Sequence, residues 1–353
     1  MLQLQEWHIV GHAQARVVLQ SLHPSKAVPP LTTLEVEFPR VYLAEFNTHT
    51  RLSRNSASSR AIPVWKRLRA IIERPYVPTS FGVNKPGMSS ELPLSDKEQE
   101  HAVEAWRIGM HYACIQAFAL AGGTEGILAD AKGSLEAQSL CLCMEELSKE
   151  LGNPFPVLRN AVHKQHANRV LEPYAYHTVV TTATHWRNFL GLRASKHAQP
   201  EAQDFGLAMA YALKNAQPQQ LRAGGLHLPY VSMEDVMECA DETQLAMASS
   251  AKCARVSYMT HDGVRSVVRD IEMADGLKMN GHMSPFQHPA RAIHGYRKAS
   301  ARTLSGNYAP GWYQLRKQME HEGDFSKLVS RDDLIVGCRE DESLVDFILG
   351  LPA

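Results

Sequence analysis

The chain has 353 residues, of which 44% are hydrophobic and 21% are charged. It is therefore long and apolar enough to bury one large core or two smaller ones. Its 37 basic and 37 acidic residues give a formal net charge of zero, whereas a general nucleic-acid binder usually carries a basic surplus. This balance favours a small, localised anion site over a surface that follows DNA.

Cysteine usage and hydropathy indicate a cytoplasmic protein. The six cysteines are scattered and only Cys141 and Cys143 are close together, so neither a disulfide framework nor a metal site is expected. The first residues lack the basic and then apolar pattern of a secretory signal peptide. Because no apolar run approaches the roughly 18 residues of a membrane helix, we expect no membrane span.

The first predicted element is a half-buried strand at residues 33–38. Apolar and polar residues alternate there, which is the period of a strand with one buried face. Pro39 breaks this strand. Residues 40–49 then read as a helix that leads into a polar cluster, which we define as residues 47–60.

The middle of the chain is predicted to be mainly helical. A loop rich in Pro, Gly and Ser at residues 75–94 precedes a capping box that opens a helix over residues 95–120. A helical insert follows at about residues 124–153. A third helix is predicted at residues 157–171, where Pro173 stops it.

The second half of the chain combines one predicted strand with several helices. Residues 176–183 are rich in β-branched side chains and predict the strand. Helices are predicted at residues 186–192, 197–214, 245–257, 264–279 and 312–322. The charged residues 326–353 show no clear period.

The polar cluster is the first candidate site. It contains three arginines, one histidine and four serines but no acidic residue, which is unlike an ordinary surface helix. Arginine forks, hydroxyls and backbone N–H groups together suit an oxyanion such as a phosphate. The cluster follows an apolar run, and polar groups at the end of a buried element often form binding sites. A solvated basic turn is the alternative interpretation.

Two further segments are candidates for the same site. Arg193 follows an apolar helical run, so its guanidinium begins near the core boundary and needs a partner such as a bound phosphate. An ion pair between Arg193 and Glu201 is the alternative. At residues 281–288, Gly281 and Pro285 order a turn, and histidines flank it.

Three groups of residues form a specific combination. The polar cluster carries Ser53, Asn55, Ser58 and Arg60, and Asn-Phe-Leu-Gly-Leu-Arg at residues 188–193 is followed by His-Ala-Gln-Pro-Glu at residues 197–201. Ala-Arg-Val-Ser at residues 254–257 precedes Gly-His-Met-Ser-Pro-Phe-Gln-His at residues 281–288. Together they resemble the signatures of the flavin-dependent thymidylate synthases, the ThyX family, over most of residues 30–290.

The order of these motifs differs from the common family order. In the family, the segments that correspond to residues 254–257 and 281–288 come first, whereas here they come last. The chain therefore resembles a circularly permuted, phage-type member, and permutation is tolerated where the original termini lie close together at the surface. This order predicts that residues 281–288 pack beside the strand at residues 33–38.

The resemblance implies a fold and an assembly. The implied fold class is α/β (α+β), with a central mixed or antiparallel sheet flanked by helices. Residues 1–325 would form a single catalytic domain that includes the helical insert, and residues 326–353 would form a charged tail. A homotetramer with active sites shared between subunits is also implied.

The resemblance further implies an activity. Methylene would pass from methylenetetrahydrofolate to C5 of dUMP, reduced FAD would supply the hydride and NADPH would re-reduce FAD. The implied ligands of dUMP are Ser58, Arg60, Arg169 and Arg193, and the implied catalytic residues are Arg193, Ser58 and His282. The implied FAD contacts are His49, Arg51, Asn55, Asn188, His197, Ser257, His282 and Ser284.

One departure from the family keeps alternatives open. Both arginines of the family's Arg-His-Arg triplet are replaced, by Thr48 and Thr50, and Arg51 is the candidate substitute. An alternative product is 5-hydroxymethyl-dUMP for phage DNA modification, formed if water replaces the hydride. Alternatives of other classes are a non-catalytic nucleotide or nucleic-acid binder that uses the basic residues of 51–69, and a metal-dependent nucleotide hydrolase.

Overall fold

The computed structural model describes residues 5–86, 92–255, 266–293 and 304–319, and it begins with an antiparallel meander. Its strands are β1 (His8–Val10), β2 (Ala13–Leu22) and β3 (Leu31–Pro39). The turn between β1 and β2 needs glycine, because Gly11 has a φ of 49° and a Cβ there would collide with the Asp204 carboxylate.

A mixed sheet forms the centre of the fold. The remaining strands are β4 (Ser53–Ser56), β5 (Tyr176–Ala183), β6 (Gln219–Gln220), β7 (Leu226–His227), β8 (Ala290–Ala292) and β9 (Trp312–Gln314). Within the described ranges, the main sheet has the order β1-β2-β3-β5-β4, and β6 pairs in parallel with β2. Strands β7, β8 and β9 form a smaller antiparallel sheet. The predicted central mixed sheet is confirmed.

Helices surround this sheet, which confirms the α/β (α+β) fold class. They are α1 (Leu43–Asn47), α2 (Val64–Glu73), α3 (Asp96–Leu120), α4 (Gly123–Asp130), α5 (Leu135–Leu151), α6 (Lys164–Ala167), α7 (Arg187–Arg193), α8 (Pro200–Lys214), α9 (Met233–Glu238), α10 (Glu242–Arg255) and α11 (Val267–Met279). Short 3₁₀ helices lie at Arg40–Tyr42, Asn168–Tyr174, Ser284–Gln287 and Arg316–Gln318. No helix in the described ranges has the length and hydropathy needed to cross a bilayer.

The helix predicted at residues 157–171 begins only at Lys164 and continues as a 3₁₀ helix, and the helix predicted at residues 312–322 is wrong within the described residues. Residues 157–163 are irregular because their backbone pairs with the end of α3: the N–H of Val162 donates to the carbonyl of Leu120 at 2.7 Å. Pro154 and Pro156 precede this segment and oppose a helix start there. The helix predicted at residues 312–322 is replaced by β9 and a 3₁₀ turn, because Trp312 pairs with Ala292 of β8.

Strand β3 is confirmed, but it is buried on both faces rather than on one. Leu34, Val36 and Phe38 pack against α7 and α8, and full burial of each such side chain contributes about 1.5–3 kcal/mol. On the opposite face Thr33 is fully buried, and Glu35 is 8% exposed. These polar groups tolerate burial because each has hydrogen-bond partners inside the fold.

A buried chain of hydrogen bonds joins the two sheets to the segment at residues 281–288. The Ser21 hydroxyl contacts Nδ1 of His227 at 2.8 Å, and Nε2 of His227 contacts the Thr33 hydroxyl at 2.8 Å. The Thr33 and Thr182 hydroxyls lie 2.7 Å apart, and the Thr182 hydroxyl contacts Nδ1 of His288 at 2.7 Å. The segment at residues 281–288 thus reaches β5 directly and β3 through Thr182.

The Thr182 hydroxyl is expected to stabilise the fold. Thr182→Val leaves the buried His288 ring without its partner, so we expect a loss of about 1–3 kcal/mol in the free energy of unfolding. The matched control is Thr181→Val, because the neighbouring Thr181 hydroxyl is buried and has no hydrogen-bond partner among the described residues. Urea unfolding of both variants tests this, and equal losses would contradict it.

Stability is also expected to fall in mild acid. Burial lowers the pKa of His177, His227 and His288 to about 3. An unfolded histidine titrates near pH 6.5, so below that pH the unfolded chain binds protons that the folded chain does not. The stability that is present above about pH 6.5 is therefore lost as the pH falls toward 3. Urea midpoints measured at pH 7.5 and pH 5.5 test this, and a pH-independent midpoint would contradict it.

Candidate functional site

Strand β4 divides the polar cluster into two parts. Its Ser53 lies opposite Thr182 of β5, and its Ser56 lies opposite Val179, so the cluster contains an edge strand that the sequence did not predict. At about 3.3 Å per residue, the four-residue strand separates its two ends by about 10 Å. Residues 47–52 therefore lie near the end of β5, and residues 57–60 lie near its start.

The first part of the cluster forms a cavity with the residues that follow β5. This cavity has a volume of about 300 Å³. Its lining consists of Thr48, His49, Thr50, Arg51, Leu52, His185, Asn188 and Phe189. It is rich in hydrogen-bond donors and includes no carboxylate.

Arg193 binds the loop that carries His49. Its Nε donates to Nε2 of His49 at 3.0 Å, and its Nη2 donates to the Glu45 carbonyl at 2.9 Å and to the Thr48 hydroxyl at 3.0 Å. Glu201 instead accepts a hydrogen bond from the Tyr76 hydroxyl at 2.9 Å. The alternative ion pair between Arg193 and Glu201 is thus not formed in the described structure.

Arg54 also fixes the loop that carries His49. Nη1 of Arg54 donates to the carbonyls of Asn47 and His49, each at 2.9 Å, and so satisfies groups at the end of α1. Burial lowers the pKa of His49, and the positive charges of Arg193 and Arg54 lower it further. His49 is therefore a neutral imidazole whose Nε2 accepts the hydrogen bond from Arg193.

The second part of the cluster lies beside the 3₁₀ helix that carries Arg169. Nδ2 of Asn168 donates to the carbonyls of Ser59 and Ile62, each at 2.8 Å, and this fixes the turn. Within the turn, the backbone N–H of Arg60 donates to the Ser58 hydroxyl at 3.3 Å. Ser58, Arg60 and Arg169 therefore share one region, whereas Arg193 lies with His49 at the other end of β4.

The other predicted site residues fall around β4 or outside the described residues. Asn55 lies in β4, and its Nδ2 is buried without a hydrogen-bond partner in the part of the chain that the structure describes. His282 and Ser284 are exposed at a 3₁₀ helix that packs beside β4. His197 is exposed before α8. The predicted site residue Ser257 lies outside the described residues.

The cavity beside His49 fits part of a flavin dinucleotide. Hydroxyl, amide and guanidinium donors without a carboxylate suit a diphosphate or the polar edge of a ring. Its volume is at the lower end of the roughly 300–1,000 Å³ that small-molecule pockets occupy. The described residues of one chain thus supply a fitting but partial site for FAD.

Two buried arginines were not predicted as site residues. A second cavity, of about 540 Å³, includes Ala57, Arg67, Tyr176 and His177 in its lining. Arg67 lies on α2, a helix that the sequence analysis did not recognise, and Arg40 is buried beside it. The sequence carried one signal for the burial of Arg67. This basic residue falls among the apolar residues of α2, such as Leu68 and Ile71, which are buried with it.

The positions of two arginines bear on the nucleic-acid-binding alternative. Arg54 binds backbone carbonyls and Arg67 is buried, so these two basic residues of 51–69 are not available to a nucleic-acid backbone. Among the described residues, no group of three or more His, Cys, Asp or Glu side chains is arranged to hold a metal ion.

Removing Arg193 is expected to change the titration of His49. Arg193→Gln takes away a positive charge and a donor to Nε2, so the His49 pKa should rise toward the ordinary value near 6.5. NMR titration of the His49 ring measures this. Arg187→Gln, at the exposed start of the same helix, is the control and should leave the His49 pKa unchanged. An unchanged His49 pKa in Arg193→Gln would contradict the assignment.

Comparison with known proteins agrees with this geometry. The Thy1 family, described as thymidylate synthase complementing protein, matches residues 15–219, which include both parts of the polar cluster, Arg169 and Arg193. The segment at residues 281–288 lies beyond the match, and no curated protein matches the chain. Members of this family are flavin-dependent. The chain therefore belongs to the Thy1, or ThyX, family and is a thymidylate synthase-type enzyme that acts on small molecules such as dUMP.

Proposed function

We propose that this chain is a transferase that converts dUMP to dTMP by flavin-dependent reductive methylation. The observation that carries the proposal is the hydrogen bond between Arg193 and His49. It joins two of the family signatures, which lie 144 positions apart in the chain, across one cavity. A contact between signature residues so far apart in the sequence is expected of a binding site formed by the fold rather than of a local surface turn.

Ser58, Arg60 and Arg169 would bind the nucleotide at one end of β4. A phosphate monoester is a dianion, and exposed guanidinium groups beside a hydroxyl provide charge-assisted hydrogen bonds to it. Arg193 lies at the other end of β4, so within one chain it is separated from that group by about 10 Å or more. We propose that Arg193 of a neighbouring subunit completes the site in a homotetramer.

Arg193 is suited to such a role. Its Nε and Nη2 hold the loop, and its Nη1 has no hydrogen-bond partner among the described residues. The guanidinium is thus fixed in direction before a ligand arrives, which lowers the entropic cost of binding. With Ser58 and His282, Arg193 would orient the pyrimidine ring for attack at its C5 carbon.

The FAD contacts would come from both sides of β4. The proposed residues are His49, Arg51, Asn55, Asn188, His197, Ser257, His282 and Ser284. When bound, FAD supplies the hydride, with NADPH as its reductant and methylenetetrahydrofolate as the carbon donor. The neutral His49 ring and the unpaired Asn55 amide offer hydrogen bonds without adding a charge.

The proposal includes the organisation of the chain. Residues 281–288 would be the displaced first segment of a circularly permuted, phage-type member, and their contact with β4 and β5 supports this. We propose a single catalytic domain over residues 1–325, with a helical insert at residues 124–153 and a charged tail at residues 326–353. The site of action would be the cytoplasm, of a bacterial host if the chain is phage-encoded, without nucleic acid as a partner.

A second candidate function is hydroxymethylation of dUMP. The two threonines at positions 48 and 50, where the family has arginines, line the cavity, and each is a smaller side chain than an arginine. If water rather than hydride reaches the transferred carbon, the product is 5-hydroxymethyl-dUMP. The altered lining is the observation that favours this candidate.

The test is product analysis with the purified protein. We expect a yellow protein whose flavin absorbance changes on addition of dUMP, and dTMP as the product from dUMP, methylenetetrahydrofolate, FAD and NADPH. Arg60→Met and Arg193→Met should each lower kcat/KM about 100-fold or more, whereas Arg187→Met should not. Mass spectrometry showing 5-hydroxymethyl-dUMP without dTMP would select the second candidate, and an absence of both products would reject the proposal.

A further inference from the structure

The cavity at the start of β5 is lined by carboxylates that are already paired and by a buried arginine, Arg67. It lies between β2, β3, β5 and α2 and has a volume of about 540 Å³. Three carboxylates line it, and each already has a guanidinium within 2.6 Å: Glu35 with Arg16, Glu37 with Arg74, and Glu73 with Arg69. The negative charges of these three carboxylates are therefore already balanced by other arginines and do not balance the charge of Arg67.

Arg67 is buried, and part of its guanidinium is without hydrogen bonds among the described residues. It is 4% exposed, and its Nε and Nη2 have no hydrogen-bond partner among the described residues. Burial, together with the nearby charge of Arg40, lowers the pKa of Arg67 to about 10. A buried guanidinium without partners costs several kcal/mol, so a ligand that pairs with it is favoured.

Two guanidinium groups share one carboxylate in the neighbourhood of Arg67. Nη2 of Arg40 lies 3.0 Å from Oε1 of Glu172, and Nη1 of Arg169 lies 3.5 Å from Oε2 of the same residue. Arg67 is close enough for Glu172 and Arg40 to influence its pKa. Three positive charges against one negative charge leave an excess of two, which matches a phosphate monoester dianion better than a single carboxylate.

The cavity adjoins the residues proposed to bind the nucleotide. Ala57 and Ile62 line it and flank the turn that carries Ser58 and Arg60. Nη1 of Arg40 donates to the carbonyl of Ala57 at 3.0 Å, so the buried arginines and the exposed turn are directly connected. A phosphate held between them would contact the turn on one side and α2 on the other.

We propose that Arg67 is a phosphate-binding residue: it anchors the phosphate of the nucleotide substrate from inside the protein, with Arg40 behind it. This inference rests on the proposed function for the identity of the nucleotide. It adds to that function a buried cation on α2 that none of the sequence signatures contains. Deoxyuridine, which lacks the phosphate, should gain nothing from Arg67.

The test compares wild type with Arg67→Met by calorimetric titration and thermal unfolding. For Arg67→Met we expect dUMP affinity to fall about tenfold or more and deoxyuridine affinity to stay unchanged. Without phosphate, the variant should unfold at the same or a higher temperature, because an uncompensated buried charge has been removed. Added inorganic phosphate should raise the unfolding temperature of wild type but not of the variant.

Arg69→Met is the matched control on the same helix. Arg69 makes exposed ion pairs with Glu73 and Glu136, so its loss should leave the dUMP affinity unchanged. If Arg67→Met does not fold, Arg67→Lys keeps the charge but not the fork, and it should fold and bind dUMP more weakly than wild type. Wild-type dUMP affinity in the folded Arg67 variant would overturn the inference.

The outcomes also separate this inference from the proposed function. Arg67-dependent binding of dUMP without formation of dTMP or 5-hydroxymethyl-dUMP would retain the phosphate site and reject the proposed activity. Product formation by Arg67→Met with an unchanged KM for dUMP would retain the activity and reject the role of Arg67.

Discussion

The pairing of β5 with both β3 and β4 is the constraint on which the rest of the structure depends. Strand β5 lies between its two neighbours, so its backbone is satisfied on both edges. Its Thr182 hydroxyl contacts the Thr33 hydroxyl and the His288 ring, which ties the segment at residues 281–288 to the sheet. The two ends of β5 border the two cavities, and the pairing with β4 assigns one half of the polar cluster to each. The geometry of the site is therefore set by strand register before any ligand contributes.

Arginine has two distinct uses in this arrangement. Arg54 and Arg193 donate to carbonyls and to a neutral imidazole, and they give a glycine-free loop a defined shape. Arg67 is buried beside an Arg40 that shares its carboxylate with Arg169, and its Nε and Nη2 have no such partner among the described residues. The first use organises protein groups, whereas the second leaves positive charge available to an anion. The zero net charge of the chain is compatible with this local excess, because the surplus is confined to one cavity.

Sequence reasoning recovered the features that depend on local chemistry. The capping box at Ser95 begins α3, with the Ser95 N–H donating to the Glu98 carboxylate at 3.0 Å, and β5 has the predicted bounds. Sequence reasoning did not predict elements that form by pairing with segments far away in the chain. The register of β2 shifts between Val17 and Leu19, which interrupts the alternation that marks a strand. Strand β4 consists of polar residues and exists because β5 offers its edge, so no hydrophobic period announces it. The surroundings of Arg67 depend on α2 and on Tyr176 and His177, which lie about 100 positions away and share its cavity, and composition and spacing do not reveal this.

The proposed site combines the Arg60 and Arg169 group of one subunit with Arg193 of another. To test this, the Arg60→Met and Arg193→Met variants are mixed in equal amounts, unfolded and refolded together, and the turnover of dUMP by the mixture is measured. If each variant alone is inactive and sites are shared, random assembly should give about a quarter of the sites an intact set of groups. We expect turnover near that fraction of the wild-type rate. A mixture as inactive as its two components would contradict it.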